Sequence, residues 1–499
     1  MIFRNTVAQT AAYVSGYLLS FVLAPIMLAQ LGLELFGVWA VTGAIATYAG
    51  LADLGIARSM ERFVAVFHAQ SDRRKLQECF TFGLMGAAVA TVSAILAAVL
   101  LAPLIDGALD DALGREDMRA VLIATAIAFG CHTFRSVVNS VPEGMQRMVP
   151  PAIATIVYAV ISFAVGVVAL LMSRDLVTYA WANAGAALAG VLIALVSLRW
   201  VWRDVAIRLP SRALVKEILG FSIRSQAGVV AELVNQQTDK ILIALLIGVR
   251  AAGAYEIANR AVLAVRTVGM MGTAAILSAA TTRIALEGRG VISGFYAYYT
   301  SRATAVTMPV VVGTAVAAPA LLVVWIGDVP EESVAVFIAL TIANAVNLTT
   351  GVSSNIMLAE GKPGLVSAYA GLAAALNILL TIVLAPLFDL WGVIGATVIA
   401  LVASSAMLTV RFHRSHGISW RVYGLAVGQP LLLSLAAAAP GIVWLLAQGA
   451  PTGRLAALPV CAGIGLVFVA VYWVGASRLD ILPPRLALSR LRPAPSVAV

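Results

Sequence analysis

The stretch Gly220–Thr267 reads GFSIRSQAGVVAELVNQQTDKILIALLIGVRAAGAYEIANRAVLAVRT. It is long and apolar enough to cross a membrane in and back, turning between Gly248 and Gly253. It also carries Arg224, Glu232, Asn235, Asp239, Lys240, Glu256, Asn259, Arg260 and Arg266. An ionisable group at membrane depth costs about 2.5–3.5 kcal/mol on insertion scales, so such groups face a water-filled cavity or each other. The stretch therefore predicts a membrane protein with a charged internal path. On a helix, Glu232, Asn235 and Asp239 fall within about 80° of Arg224, which gives helix seven one polar stripe. Lys240 lies off that stripe, toward a neighbouring helix or an interface. Glu256, Asn259, Arg260 and Arg266 share one side of helix eight. Asp239 and Arg260 lie at depths that match within about 3 Å, which predicts an ion pair across the hairpin. Arg266 has no carboxylate one turn away on its own helix and is the leading candidate to hold an anion.

The composition agrees with a membrane solvent. Of 499 residues, 61% are hydrophobic and 11% charged, against about 25% charged in soluble domains. The net charge of +9 comes from short loops between apolar runs, where it sets topology, and is not a nucleic-acid-binding signature. Fourteen apolar spans of helical length follow one another, the first at 8–31 and the last at 455–476, with spans eight and ten at 254–280 and 333–358. With an inside N-terminus, 22 Lys and Arg lie inside, 5 outside and 6 within spans, out of 33 in the chain. That bias predicts both termini in the cytoplasm. Cys79, Cys131 and Cys461 are scattered and read as small apolar packing residues.

Landmarks recur. Gly32, Gly37 and Trp39 are matched by Gly248, Gly253 and Tyr255 at an offset of 216, and Glu143-Gly144 by Glu360-Gly361 at 217. The expected fold is thus an all-α polytopic membrane protein of about 14 helices. Two six-helix bundles related by internal duplication, 1–215 and 216–415, precede two extra helices at 416–477 and a cytoplasmic tail at 478–499. Internal duplication is a common route to a transporter with its site between repeats. Helix two ends near Asp53, Arg58, Glu61 and Arg62, helix four carries His132 and Arg135, and helix ten carries Asn344, Asn347 and Asn355. Polar groups between membrane helices can also be structural hydrogen-bonding glue. No cofactor or metal motif is present: there is no HExxH, GxSxG or Walker A sequence. Outside loops are too short to carry the catalytic groups of a polymerase or glycosyltransferase, so an enzyme is not expected.

Several short motifs resemble polysaccharide and O-antigen flippases. They are Asp239-Lys240-Ile241-Leu242 with Gly248, Gly253-Ala254-Tyr255 and Ala258; Arg4-Asn5-Thr6 with Gly32 and Gly37; Trp325-Ile326-Gly327; Glu360-Gly361-Lys362; and Asn377, Pro386 and Trp391-Gly392. Their order covers residues 4–412. These flippases belong to the multidrug/oligosaccharidyl-lipid/polysaccharide exporter superfamily, with lipid II flippases and multidrug and toxin extrusion antiporters. The resemblance implies alternating access and a cationic lumen for a lipid-linked diphosphate sugar. In the lipid II relatives two extra helices form a groove for the lipid tail, which spans thirteen and fourteen match. Span one lacks their first-helix arginines, so that cluster is not carried over. The expected function is a flippase of the bacterial cytoplasmic (inner) membrane for lipopolysaccharide or exopolysaccharide assembly, moving a polyprenyl-diphosphate oligosaccharide. Membrane lipids, a coupling ion (H+ or Na+) and polysaccharide assembly proteins are the expected partners. Substrate-binding candidates are Arg266, Arg260, Arg224, Asp239, Glu232, Asn235, Glu256 and Asn259. The alternatives are a cation-coupled drug antiporter of the same fold and, third, a polysaccharide polymerase or glycosyltransferase.

Overall fold

A computed structural model of the chain describes residues 2–49, 56–106, 113–203, 206–271, 273, 276–479 and 481. The side chains of Arg58, Arg224 and Glu232, all of Asp53 and the tail from 482 lie outside the described residues. A chain this apolar must satisfy its backbone internally, which a helix does within one segment. The described residues form fifteen α-helices and no strand: α1 (Ile2–Ala49), α2 (Ile56–Ala69), α3 (Arg73–Asp106), α4 (Arg115–Gly144), α5 (Val149–Ser173), α6 (Leu176–Val201), α7 (Arg212–Leu246), α8 (Val249–Met271), α9 (Ile276–Glu287), α10 (Ile292–Ile326), α11 (Glu331–Thr349), α12 (Gly351–Ala359), α13 (Pro363–His416), α14 (Trp420–Gln448) and α15 (Arg454–Arg478).

Ten of these helices are long and apolar enough to cross a membrane. Two of the ten are double. α1 bends at Gly32 (φ 80°, ψ 173°) and α13 at Asp389 (φ 50°, ψ −135°). At ~1.5 Å per residue each is more than twice the ~30 Å hydrocarbon thickness. α7 and α8 are 35 and 23 residues long; their charges keep them out of the ten, and with them the expected fourteen spans are present. Two expected spans differ in detail. Residues 254–280 are not one span, because α8 ends at Met271 and α9 begins at Ile276. Residues 333–358 are broken at Thr350 into α11 and α12.

Packing divides the chain into two compact units, 1–260 with 370–400, and 261–369 with 401–499. In the first, α4 packs on α3 and α6, and α5 on α1 and α6. Its core joins α2 (Met60, Phe63, Val64, Phe67) to α3, α4, α6 and the start of α7. In the second, α10 packs on α11, α14 and α15, and α9 on α12. One core of the second unit joins α9, α10 and α12 to Phe412 of α13.

Seven positions of these two cores correspond at an offset of 216. Met60, Val64, Leu76, Cys79, Phe80, Ala87 and Val141 in one stand where Ile276, Ala280, Ile292, Phe295, Tyr296, Ala303 and Met357 stand in the other. α4 and α11 begin 216 residues apart, at Arg115 and Glu331. Six of the seven side chains differ, yet every position stays buried.

The same offset governs a helix crossing inside the first unit. A Cβ on Gly37 would collide with the carbonyl oxygen of Val249, and one on Gly253 would lie 2.5 Å from that of Leu33. Leu33 and Gly37 correspond to Val249 and Gly253, so the contact is reciprocal, as across a two-fold axis. Glu34 and Arg250, also 216 apart, approach to 4.0 Å beside it. Small residues let helix backbones approach this closely.

Candidate functional site

α7 places Asp239 and Lys240 side by side, about 100° apart around the helix, and the two meet different neighbours. Asp239 is 2% exposed. Its carboxylate accepts hydrogen bonds from Tyr255 Oη on α8 (2.7 Å), Asn377 Nδ2 (2.6 Å) and Thr397 Oγ1 (3.2 Å), the last two on the two limbs of α13. Thr397 and Thr381 also donate to Asn377 Oδ1, at 3.2 and 3.4 Å. One turn before Asp239, Asn235 donates to the Ala370 carbonyl at 3.3 Å. The Asn235–Asp239 face of the predicted stripe therefore turns toward α13. An isolated carboxylate in an apolar medium is costly unless hydrogen-bonded, and here neutral donors do that work.

Lys240 turns the other way, to α8. Its Nζ lies 2.8 Å from Glu256 Oε2, and Arg260 Nε lies 2.6 Å from Glu256 Oε1. Two cations share one buried carboxylate, which leaves one excess positive charge. Tyr17 Oη donates to the Arg260 carbonyl at 3.2 Å, and the guanidinium carbon stands 5.5 Å from the Phe36 ring centroid. Arg260 borders a cavity of about 280 Å³ whose other walls are α1, α5 and α6.

The expected Asp239–Arg260 pair is not formed. Equal depth did not fix which faces meet: Tyr255 and α13 occupy the Asp239 side, and Glu256, one turn from Arg260 on its own helix, takes the guanidinium. Glu256 and Arg260, one turn apart on α8, form an i,i+4 pair. Asn259 is half-buried on α8. Arg266 lies six residues beyond Arg260 on α8 and has an interaction of its own. Arg224 and Glu232 belong to the side chains outside the described set. Tyr255, Asn377 and Thr397 were not among the candidates. Tyr255 and Asn377 stood in the motifs of the family resemblance, and Asn377 is also an amide within the apolar run Ala373–Val383.

The remaining polar groups are mostly structural. Asn344 donates to Leu340 O on its own helix, Asn347 to Ser405 Oγ and Asn355 to Gly351 O. Arg135 hydrogen-bonds with His132 at 2.8 Å, and its guanidinium carbon lies 3.9 Å from the Tyr158 ring centroid. Glu360, at the turn after α12, gathers Lys362, His416 and Arg289 at 2.9, 3.2 and 3.4 Å.

No curated protein matches the chain. Among solved structures, "Lipid II flippase MurJ, inward closed conformation" is similar with a TM-score of 0.73 at 12% identity, over 96% of this chain and 98% of that one. An inward-facing multidrug resistance MATE family transporter of the MOP superfamily gives 0.59 at 14% identity, over 82% and 94%. An outward-facing one gives 0.53 at 16%, over 83% and 95%. At such identities the likeness is one of fold, that of many-helix membrane transporters. The family described as polysaccharide biosynthesis protein matches residues 2–281. With more than half of its length so matched, on the fold of the MOP superfamily, this chain belongs to the polysaccharide biosynthesis protein family.

Proposed function

We propose that the chain is a flippase, not an enzyme, that carries a polyprenyl-diphosphate-linked oligosaccharide across the bacterial cytoplasmic membrane for surface polysaccharide assembly. The observation that carries this reading is the Lys240–Glu256–Arg260 cluster, a buried site with one positive charge in excess beside a cavity. A diphosphate that leaves water needs fixed cations and donors in place of its hydration. Arginine stays charged and grips phosphate with two parallel bonds. Arg266, farther along α8, extends the cationic side of the same helix. Both termini are cytoplasmic by the charge bias, and repeats 1–215 and 216–415 are the halves that move.

Two further features support it. An apolar cavity of about 480 Å³ lies between α14 and α15, lined by Pro440, Gly441, Trp444, Pro459, Gly463 and Ile464. It suits a polyprenyl chain, which needs no polar contact. The Asp239 network is where a coupling ion, H+ or Na+, acts: a carboxylate with only neutral hydrogen-bond partners gains most from a proton or cation. Polysaccharide assembly proteins are the partners this role implies.

A carboxylate whose hydrogen-bond partners are all neutral also suits a cationic drug, which favours the antiporter as the second reading. Lipid analysis of a deletion strain separates the two. The flippase reading expects a lipid-linked oligosaccharide to accumulate and surface polysaccharide to fall. An unchanged lipid pool with raised sensitivity to cationic drugs would favour the antiporter.

A further inference from the structure

The first repeat is open where the second is closed. Asp239 and Tyr255, joined by Asn377 and Thr397, fill the space among α7, α8 and α13. Their counterparts 216 residues earlier are Leu23 and Trp39, and both line the cavity of about 280 Å³. One duplicated position thus holds a saturated hydrogen-bond network, and the other a pocket. The pocket also has a different chemistry. Trp39, Tyr158, Tyr179, Ser162 and Asn183 form one part of its wall, mostly apolar residues of α1 and α5 form the rest, and Arg260 stands at its border.

The rings are fixed in place. A Cβ on Gly190 would overlap the Tyr158 ring, and one on Gly166 would lie 3.2 Å from Tyr179 Cε2. Trp39 meets Tyr179 edge-on at 4.9 Å between centroids, and Arg135 stacks on Tyr158 at 3.9 Å. Glycine at both backing positions lets the aromatic walls sit close to their helices, and this pre-organisation lowers the entropy cost of binding. Tyr158 Oη and Tyr179 Oη have no hydrogen-bond partner among the described residues, and Asn183 has only a long 3.5 Å contact with Ser162. Aromatic faces interleaved with hydroxyl and amide groups match a molecule with apolar C–H faces and a rim of hydroxyls. Tyrosine and tryptophan suit such a site because each carries an apolar body and a polar edge. The volume lies just under the ~300–1,000 Å³ of drug-sized sites, enough for one sugar ring and not for a chain of them. Arg260 engages Glu256 through Nε, and its terminal nitrogens remain to meet an anion.

We propose that this cavity is a sugar subsite: it takes one pyranose ring whose anionic substituent, an anomeric phosphate or a ring carboxylate, meets Arg260. The assignment rests on the flippase reading for its role in transport, while sugar binding itself is measured independently.

Saturation-transfer-difference NMR on the full-length protein in nanodiscs tests it. The probes are the 1-phosphates of glucose, galactose and N-acetylglucosamine, the free hexoses, and galacturonate, with inorganic phosphate as competitor. The expected result is ring-proton saturation of at least one anionic sugar, at least tenfold stronger than of the free hexoses. Competition by phosphate assigns the anomeric-phosphate arm, and saturation of galacturonate alone assigns the carboxylate arm. Ala159→Phe fills the cavity and should abolish the signal. Tyr158→Phe keeps the stack with Arg135 and should weaken binding about tenfold, as should Asn183→Ala. Thermal unfolding checks that each variant is folded. Absence of a signal from every probe with wild-type protein, or a signal unchanged in Ala159→Phe and in both milder variants, overturns the proposal. Sugar binding that persists while the deletion strain accumulates no lipid-linked oligosaccharide would overturn the flippase reading and leave the subsite standing.

Discussion

At the scale of single residues, Asp239 and Lys240 divide the site between them. Asp239 has neutral hydrogen-bond partners, whereas Lys240 and Arg260 converge on Glu256. Removing one member of a buried ionic cluster costs about 3–5 kcal/mol, because the others are left uncompensated. Glu256→Gln is therefore expected to lower the unfolding temperature of the purified protein clearly, and Lys240→Met plus Glu256→Gln to lower it less than the sum of the single changes. Additive losses would show that the two do not act as a pair. Asp239→Asn is expected to insert and fold but to lose the ion dependence of transport, because an amide cannot take up a proton or balance a cation. Ion-dependent uptake in proteoliposomes, equal to wild type, would contradict that. The polar stripe was legible in the sequence because helical periodicity alone places Asn235 and Asp239 on one face. The partners were not, because the rotation of α8 and the arrival of Asn377 and Thr397 from far along the chain depend on tertiary packing. Depth along a helix predicts neighbours only when the facing sides are known.

At the scale of elements, breaks and turns carry the information. Asp389 bends α13 with a positive φ that suits glycine. Such a residue holds about 1–3 kcal/mol of strain. Asp389→Gly is accordingly expected to raise the unfolding temperature in detergent; a fall would mean that the Asp389 side chain contributes more than the strain costs. The reciprocal crossing at Gly37 and Gly253 brings Glu34 and Arg250 together. A cysteine pair at these two positions, bridged by crosslinkers of graded length, should arrest transport with short bridges and permit it with long ones. Full activity with every bridge, after complete crosslinking, would exclude movement at this crossing. At the turn after α12, burial pushes the Glu360 carboxyl upward, but hydrogen bonds from Lys362 and then His416 outweigh it and hold it below its ordinary value. A depressed carboxylate contributes stability above its unfolded value, about 4.3, and loses it as pH falls through the folded value. Wild-type protein should therefore lose more stability below about pH 4 than Glu360→Gln does, a comparison that acid titration of thermal unfolding makes directly. α2 and α9 were not legible as helices. Each is short; the apolar run 254–280 extends into α9, and the charges Arg58, Glu61 and Arg62 make α2 read as a loop.

At the scale of the whole molecule, the duplication was visible in the sequence only as a few glycines and one Glu-Gly pair. The buried set makes it plain, since seven core positions correspond at one offset although six of the seven side chains differ. Comparison of residue identity misses this, because a position keeps its burial while its residue changes even in size, as between Cys79 and Phe295. Fourteen spans and the family were readable because hydropathy and loop charge act over long windows, whereas a substrate is recognised by a few side chains. The account turns on movement of a lipid-linked glycan. The most direct measurement uses proteoliposomes with a polyprenyl-diphosphate oligosaccharide labelled on its sugar by a dithionite-reducible fluorophore. With wild-type protein, dithionite added outside should quench nearly all of the label as the inner pool exchanges, and with Glu256→Gln that is folded, or with empty liposomes, only about half, the outer leaflet's share by bilayer geometry. Quenching that stops at that same half in wild-type vesicles, under an imposed H+ or Na+ gradient and without one, would contradict the flippase account.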